Sequence, residues 1–577
     1  MQSIKKLMTN NNNQLVFLPL AGTGEIGMNM NLYGHGPDID EMKWLLVDVG
    51  ITFGDDSLPG IDIIMADHGF IAERRNDLVG VFITHAHEDH VGALAYLWPD
   101  LECQIYATPF TACIIKLKFE ERGIDLSGYL NIVDLDSNLK IGPFDIEIST
   151  MTHSIPEPNS MFITTDLGTI YHTGDWKIDP NPLVGNPNPR NFKEKYKNKI
   201  TAMICDSTNV MTKGRSGSEL TVRNNLVKVV KELKNRVFVT SFASNVARLE
   251  TVAYVARETN RSLVVVGRSM HRMISVAREV GILKDIKIIL NEKEAAKKKK
   301  SELLYLCTGS QGEPRGAMMR IANNDFQGIE IDKNDTVIFS SKIIPGNEKK
   351  LYGMFNKLSE MHVDVITEYD ADIHVSGHPC EDEMIDMYNW IKPEISVPVH
   401  GEHRHLKYHS ELAKSLGVKH PMLIQNGDIL KLAPGEPEVI DQCMSGRLYF
   451  DGNKLVPSDS YHLSERKRMS FNGILNITCV LNKKLRLNSP PIISCNGIDL
   501  FDEYDDDIID SLEEEIYNFF DNTNNLSKKD SKFIKNLRVY QKTLYLNALE
   551  KTFNKYSLGT YLEICWKLII LQSLFRY

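Results

Sequence analysis

The chain of 577 residues has no CxxC pair among its nine cysteines, no uninterrupted apolar run long enough for a bilayer, and no excess of basic charge. Each absence removes a class of protein. An odd number of scattered cysteines argues against a disulfide framework and for reduced thiols in a cytoplasmic protein. The most apolar late stretch, TYLEICWKLIILQSLF, is short and contains Glu563 and Lys567, so a buried or interface helix is expected there and no membrane partner. With 66 Lys+Arg against 76 Asp+Glu, the formal net charge is -10, and overall basicity cannot hold a nucleic acid. Only a local basic or metal-lined groove could. The opening MQSIKKLMTNNNNQ lacks the apolar core of a secretory signal and reads as a disordered leader over residues 1–14.

What is present is an ordinary globular composition, 42% hydrophobic and 25% charged, in a chain long enough for several cores. From residue 15 to 208, short β-rich runs such as LVFLPL, WLLVDVG, VGVFITH and FDIEIST dominate, bounded by Gly, Pro or Asp. From 209 to 370, helical and strand patterns alternate, as in a parallel doubly wound α/β domain. His-rich loops return over 371–450, which predicts that this stretch folds back onto the first. Strands and acidic helix over 451–577 read as a linker and a small α+β domain. The runs AAKKKK and DEYDDD are expected to be solvated.

GTGEIG, residues 22–27, matches the glycine spacing of dinucleotide sites. That site needs the turn to open a helix whose N-terminus meets the pyrophosphate, yet MNMNLYG reads as another strand. A Gly-rich hairpin is the better expectation.

ITHAHEDHVGAL crowds His85, His87, Asp89 and His90 into six residues after an apolar strand. One metal wants about four N or O donors, so this cluster can seed two metals if distant strand-end loops complete them. His153 ends IEISTMTH, Asp175 ends TIYHTGD and His400 ends ISVPVH. Any one histidine after a strand is more often packed or solvated. All seven together are hard to obtain as unrelated choices.

With HAHEDHVGAL, THSIPE, HTGDWKID, CDSTNV, SFASNVARLE, TGSQGEPRGAM, HVSGHP and PVHGEHRH, the chain resembles the metallo-β-lactamase fold with a beta-CASP insertion, and within it the bacterial ribonuclease J family. The resemblance covers roughly residues 15–450. It implies an α/β fold: an αββα sandwich, an inserted beta-CASP doubly wound domain, and a small α+β C-terminal domain. It implies two zinc ions per subunit, with manganese or magnesium possible in vitro. His85, His87 and His153 would hold one and Asp89, His90 and His400 the other, Asp175 bridging and Asp48 bracing the site. Asp89, Asp175 and His374 would be catalytic, His374 as phosphate contact or proton donor. Ser244, Asn245, His374, Ser376, Gly377 and His378 would contact RNA and its 5′-monophosphate.

The implied activity is RNA phosphodiester hydrolysis, both 5′-to-3′ exonucleolytic and endonucleolytic, in RNA maturation and decay, by a homodimer or homotetramer with possible decay or ribosome partners. Two departures stand out. Ala247 occupies a position where the family usually has His, and the tail SLGTYLEICWKLIILQSLFRY lacks a basic, strand-like ending. Three alternatives share parts of the pattern: a small-molecule hydrolase of the same fold, a DNA-processing nuclease, and an RNA-binding scaffold with a dead site. The long insertion disfavours the first, and the seven intact ligands disfavour the last.

Overall fold

The computed structural model describes residues 12–184, 200–480, 486–497 and 507–522, apart from 56, 285, 287, 288 and 345. The chain divides into two compact units, Met1–Thr52 with Ile64–Leu448, and Phe53–Ile63 with Tyr449–Tyr577. No change of composition marks the detour of Phe53–Ile63 into the second unit.

The first unit contains two large sheets. One runs, edge to edge, Glu438–Gln442, Asp428–Ala433, Gln14–Ala21, Met30–Gly36, Lys43–Val47, Leu78–Phe82, Ile105–Ala107 and Leu130–Ile132. The other runs Asn138–Ile141, Phe144–Thr150, Asn159–Thr165, Gly168–His172, Ala202–Asp206, Ile395–Val399 and His420–Pro421. Period-two alternation decides how they pack. In Phe144–Thr150, Phe144, Ile146 and Ile148 face a core shared with Phe17, Leu45 and Phe82 of the first sheet. Ala202–Asp206 is buried on both faces. Ala202 and Ile204 join that core, while Met203 and Cys205 pack beneath Glu381–Ile391 and His403–Ser415 through Met384, Tyr388 and Ala413. Two sheets face to face with helices outside make the αββα sandwich.

The chain leaves this sandwich after Ala202–Asp206 and rejoins it at Ile395–Val399, which pairs in parallel with the strand it left, Ala202 opposite Ile395 and Asp206 opposite Val399. Between them lies a five-stranded parallel sheet in the order Ser262–Val266, Leu303–Cys307, Val237–Thr240, Thr336–Phe339 and Asp364–Ile366. Its first strand is central and later strands add on both sides. The strand order therefore reverses where Val237–Thr240 ends, at the loop SFASN.

A buried ionic joint ties the insertion to the sandwich. The Arg248 guanidinium, fully buried, donates to Glu219 (Nη2 to Oε2 3.1 Å), to the Ile373 carbonyl at 3.1 Å and to the Ser340 hydroxyl, while the Glu219 amide donates to Asp179 at 3.0 Å. Removing one charge leaves the other buried and unpaired. Glu219→Gln is therefore expected to destabilise the first unit by about 3–5 kcal/mol, read as a lowered denaturant midpoint with unchanged slope.

In the second unit, Tyr461–Asn472 precedes an antiparallel hairpin of Ile474–Thr478 and Ile492–Asn496, followed by the helix Asp507–Asn522. Leu512, Ile516 and Phe520 are buried at the i, i+4, i+8 spacing of one helical face. Among the described residues, no helix is long and apolar enough to cross a membrane. The leader up to residue 11 and the tail from 523 lie outside the described residues.

Candidate metal centre

The glycine loop is a connection between antiparallel strands, since Gln14–Ala21 pairs with Met30–Gly36 and no helix follows it. Its work is at the histidine cluster. The Gly22 carbonyl accepts from the His400 amide at 2.6 Å, and Asn29 accepts the His400 Nδ1–H on Oδ1 at 3.0 Å while donating from Nδ2 to the Asp89 carbonyl at 3.1 Å. The loops approach so closely that a Cβ on Gly50 would lie 1.8 Å from the Asp89 carbonyl oxygen. Glycine is therefore required there. Asp48 and His400 are held at φ 64° and 52°, left-handed conformations that cost about 1–3 kcal/mol each and persist only where surroundings impose them.

Three groups of donors converge on Asp175, of which Asp175, Asp206, His378 and His400 form one and the other two match the expected ligand sets. Of these two, His85, His87, His153 and Asp175 form the first, and Asp89, His90, Asp175 and His400 the second. In the first, His87 Nδ1 lies 3.1 Å from His85 Nε2 and 3.0 Å from His153 Nε2, and both Nε2 atoms are 3.7 Å from Asp175 Oδ2. In the second, Asp175 Oδ2 is 3.2 Å from His90 Nε2 and 3.5 Å from His400 Nε2, and Asp89 Oδ2 is 3.6 Å from each of those nitrogens. Tetrahedral bonds of about 2.0–2.2 Å would set donors about 3.3–3.6 Å apart, so both groups fit a divalent ion such as zinc, with Asp175 Oδ2 common to both.

Outer hydrogen bonds fix which nitrogen points inward. His153 donates Nδ1–H to the Gly377 carbonyl at 2.5 Å, and His90 donates Nδ1–H to Asp48 at 2.7 Å. Asp48 also accepts from the Thr84 amide and hydroxyl, both at 2.8 Å, so the Thr84 oxygen can accept His85 Nδ1–H at 3.0 Å. All three leave Nε2 for a metal. A Cβ on Gly377 would meet the His153 ring at 2.8 Å, so that position too needs glycine.

Burial pushes His85 and His87 well below the ordinary histidine range and His153 down to about 3, which keeps these imidazoles neutral and competent as ligands. Burial opposes protonation of His90 and His400 as well, but Asp175 and the neighbouring carboxylates outweigh it and raise both. For Asp175, burial would raise the carboxyl, yet the facing histidines, His400 first, hold it well below its usual range. Clustered carboxylate charge therefore favours a cation between these groups.

The remaining expected site residues separate. His378 donates Nδ1–H to Asp206 at 2.7 Å and lies 3.9 Å from Asp175, so this pair abuts the metal ligands. Burial works against a proton on His378, but Asp206 and Asp175 outweigh it and lift the group to about 9. His374, expected beside the leaving group, contacts none of the ligands among the described residues. Burial, with Arg248, Lys177 and Lys342 nearby, pushes it down to about 3, and its buried Nδ1 has no protein partner. Asn245 caps the helix Val246–Glu258, its side chain accepting from the Arg248 amide at 2.9 Å. The Ser376 hydroxyl accepts from the His378 amide at 3.1 Å, and Gly377 serves His153. Among the described residues no hydrogen bond joins Ser244 or Asn245 to 376–378.

Asn29 and Asp206 are the functional residues that sequence reasoning left without a role, although both stand inside the quoted stretches MNMNLYG and CDSTNV. Asn29→Leu removes the acceptor that orients His400. It is expected to weaken metal binding about 10–100-fold, read by competition with a chelating dye.

Three family models match the chain: "Metallo-beta-lactamase superfamily" over residues 39–201, "Ribonuclease J, beta-CASP domain" over 234–358, and "Zn-dependent metallo-hydrolase RNA specificity domain" over 364–423. Among curated relatives, Ribonuclease J of Sinorhizobium meliloti is 40% identical over 520 residues, 90% of this chain and 92% of that protein. Ribonuclease J of Corynebacterium glutamicum is 35% identical, covering 84% of this chain and 67% of that protein. Ribonuclease J of Helicobacter pylori is 34% identical, covering 83% and 69%.

Proposed function

Because the chain belongs to the ribonuclease J family, we propose that it is a two-zinc ribonuclease acting in the cytoplasm in RNA maturation and decay, removing nucleotides 5′-to-3′ from monophosphorylated ends and also cutting internally. The observation that carries this reading is the pair of donor groups sharing Asp175 Oδ2. Divalent ions held by these residues would lower the pKa of a water towards about 7 and neutralise charge on a phosphodiester.

The chain's own residues do the rest. Asp48, Thr84, Asn29 and the Gly377 carbonyl orient the ligands. Hydrolysis is an in-line attack of water on phosphorus, and the departing ribose oxygen needs a proton. His378, hydrogen-bonded to Asp206 at 2.7 Å and 3.9 Å from Asp175, is placed to supply it. We assign that role to His378 in preference to His374 because His378 is the one that lies against Asp175 and Asp206. His374 is assigned the other role, as a phosphate contact, because its buried Nδ1 lacks a protein partner and Arg248, Lys177 and Lys342 lie near it, with the Ser244 and Ser376 hydroxyls as further donors. The second unit is assigned to assembly into a homodimer or homotetramer, where decay or ribosome partners would dock.

The test is a time course on 5′-monophosphorylated, 3′-labelled RNA with zinc- or manganese-loaded protein. Loss of full-length RNA with release of mononucleotides, abolished by chelation, is the expected result. Discrete internal fragments alone would make the enzyme an endonuclease, and intact RNA with well-loaded protein would overturn the reading in favour of a small-molecule hydrolase or a scaffold.

A further inference from the structure

Two ligands of the second donor group, Asp89 and His400, are held from the glycine loop. The Gly22 carbonyl accepts from the His400 amide and Asn29 Oδ1 from His400 Nδ1–H, while the Asn29 amide and Nδ2 donate to the Asp89 carbonyl at 2.9 and 3.1 Å. The loop has little of its own to keep that shape. Gly22, Gly24 and Gly27 sit at φ 89°, 84° and 98°, a Cβ on Gly24 would have no atom within 4 Å, and Ile26 is 42% exposed. Glycines leave the chain many alternatives, and apolar packing does little to exclude them here.

One side chain inside the loop ties it down. Glu25 accepts on Oε1 from the Gly22 amide at 3.4 Å and from Asn426 Nδ2 at 3.0 Å, and on Oε2 from Arg447 Nη2 at 2.5 Å, the last two being charge-assisted. Asn426 returns a further bond, its Oδ1 accepting from the Thr23 amide at 2.9 Å. It is fixed in turn, since its carbonyl accepts from the Ser445 hydroxyl at 2.9 Å and the next amide, Gly427, donates to the Pro19 carbonyl at 2.7 Å. The first donor group has no such dependence. His85 is oriented by Thr84 and His153 by Gly377, and among the described residues no hydrogen bond joins the loop to His85, His87 or His153.

We propose that Glu25 is a positioning residue for the second metal position. Clasped by Asn426 and Arg447, it holds the loop from Gly22 to Asn29 in the shape that aims His400 and Asp89, and the second ion binds tightly only while the clasp is closed. The proposal rests on the two-metal reading and adds which ion is lost first and what retains it.

Stepwise zinc loading of the full-length protein against a chelating dye tests it, because a general loss of stability would weaken both ions alike. Glu25→Gln and Arg447→Ala each remove one side of the ion pair and are expected to weaken the second ion about three- to tenfold, and the first by less than about twofold. Arg447 is 47% exposed, so its replacement leaves the fold intact. Arg447→Lys keeps the charge for what is a single hydrogen bond and should stay within about twofold of the wild type. In the double variant the loss should match that of either single change, since both open the same clasp. Wild-type affinity for the second ion in both single variants, equal weakening of the two ions, or losses that multiply in the double variant would overturn the clasp while leaving the two-metal reading in place. A wild-type chain that takes up only one ion would instead overturn the two-metal reading, and the clasp with it.

Discussion

Asp175→Asn is expected to lower RNA hydrolysis by about 10³-fold or more and to empty both metal positions, because a single carboxylate oxygen serves both. Oδ2 lies 3.2–3.7 Å from the Nε2 atoms of His85, His90, His153 and His400. Amide for carboxylate keeps the shape and removes the charge. The first group then keeps three neutral imidazoles, while the second keeps Asp89, His90 and His400 but loses its deepest anion. Metal content by mass spectrometry should fall from about two ions per chain to below one, with kcat falling in parallel. Replacing Asp48 should behave differently. It orients His90 directly and His85 through Thr84, so its loss is expected to weaken both positions about 10–100-fold while every ligand stays in place. Retention of two ions in Asp175→Asn would show that Asp175 does not bridge.

The sequence made much of this architecture legible because both of its signals are local. Alternation in FDIEIST names the residues of the inter-sheet core, and the run AMICD, apolar on both faces, marks a strand covered twice. HAHEDH is compact enough to declare itself a ligand cluster, and His153, Asp175 and His400 follow from the habit of strand ends to carry chemistry. What stayed hidden depends on loop trajectories. His374 and His378 share one short loop with no helix or strand period to say which imidazole turns toward the metal ligands, and the structure puts His378 there. Asn29 acts across some 370 residues of chain on His400, an orientation no spacing rule reports. Gly50 and Gly377 read as turn residues, yet each is required by an approach from a distant segment, Asp89 in one case and His153 in the other.

The second large effect separates proton delivery from metal binding. His378→Ala is expected to cut kcat on RNA about 10²–10⁴-fold, the usual worth of a positioned general acid, while both metals stay bound. The leaving group decides what the loss means. A ribose oxygen leaves as a strongly basic alkoxide unless it is protonated, whereas p-nitrophenolate leaves readily without help. Turnover of bis(p-nitrophenyl) phosphate should therefore fall by less than about tenfold in the same variant. Asp206→Asn should give an intermediate phenotype, since the pair is held at 2.7 Å and the carboxylate both orients the imidazole and keeps its proton. If His378→Ala slowed both substrates equally, the residue would be acting through the metal centre, which it approaches at Asp175, and the measured zinc content should then fall with it. A selective loss on RNA with two metals retained leaves proton donation as the role that accounts for the geometry.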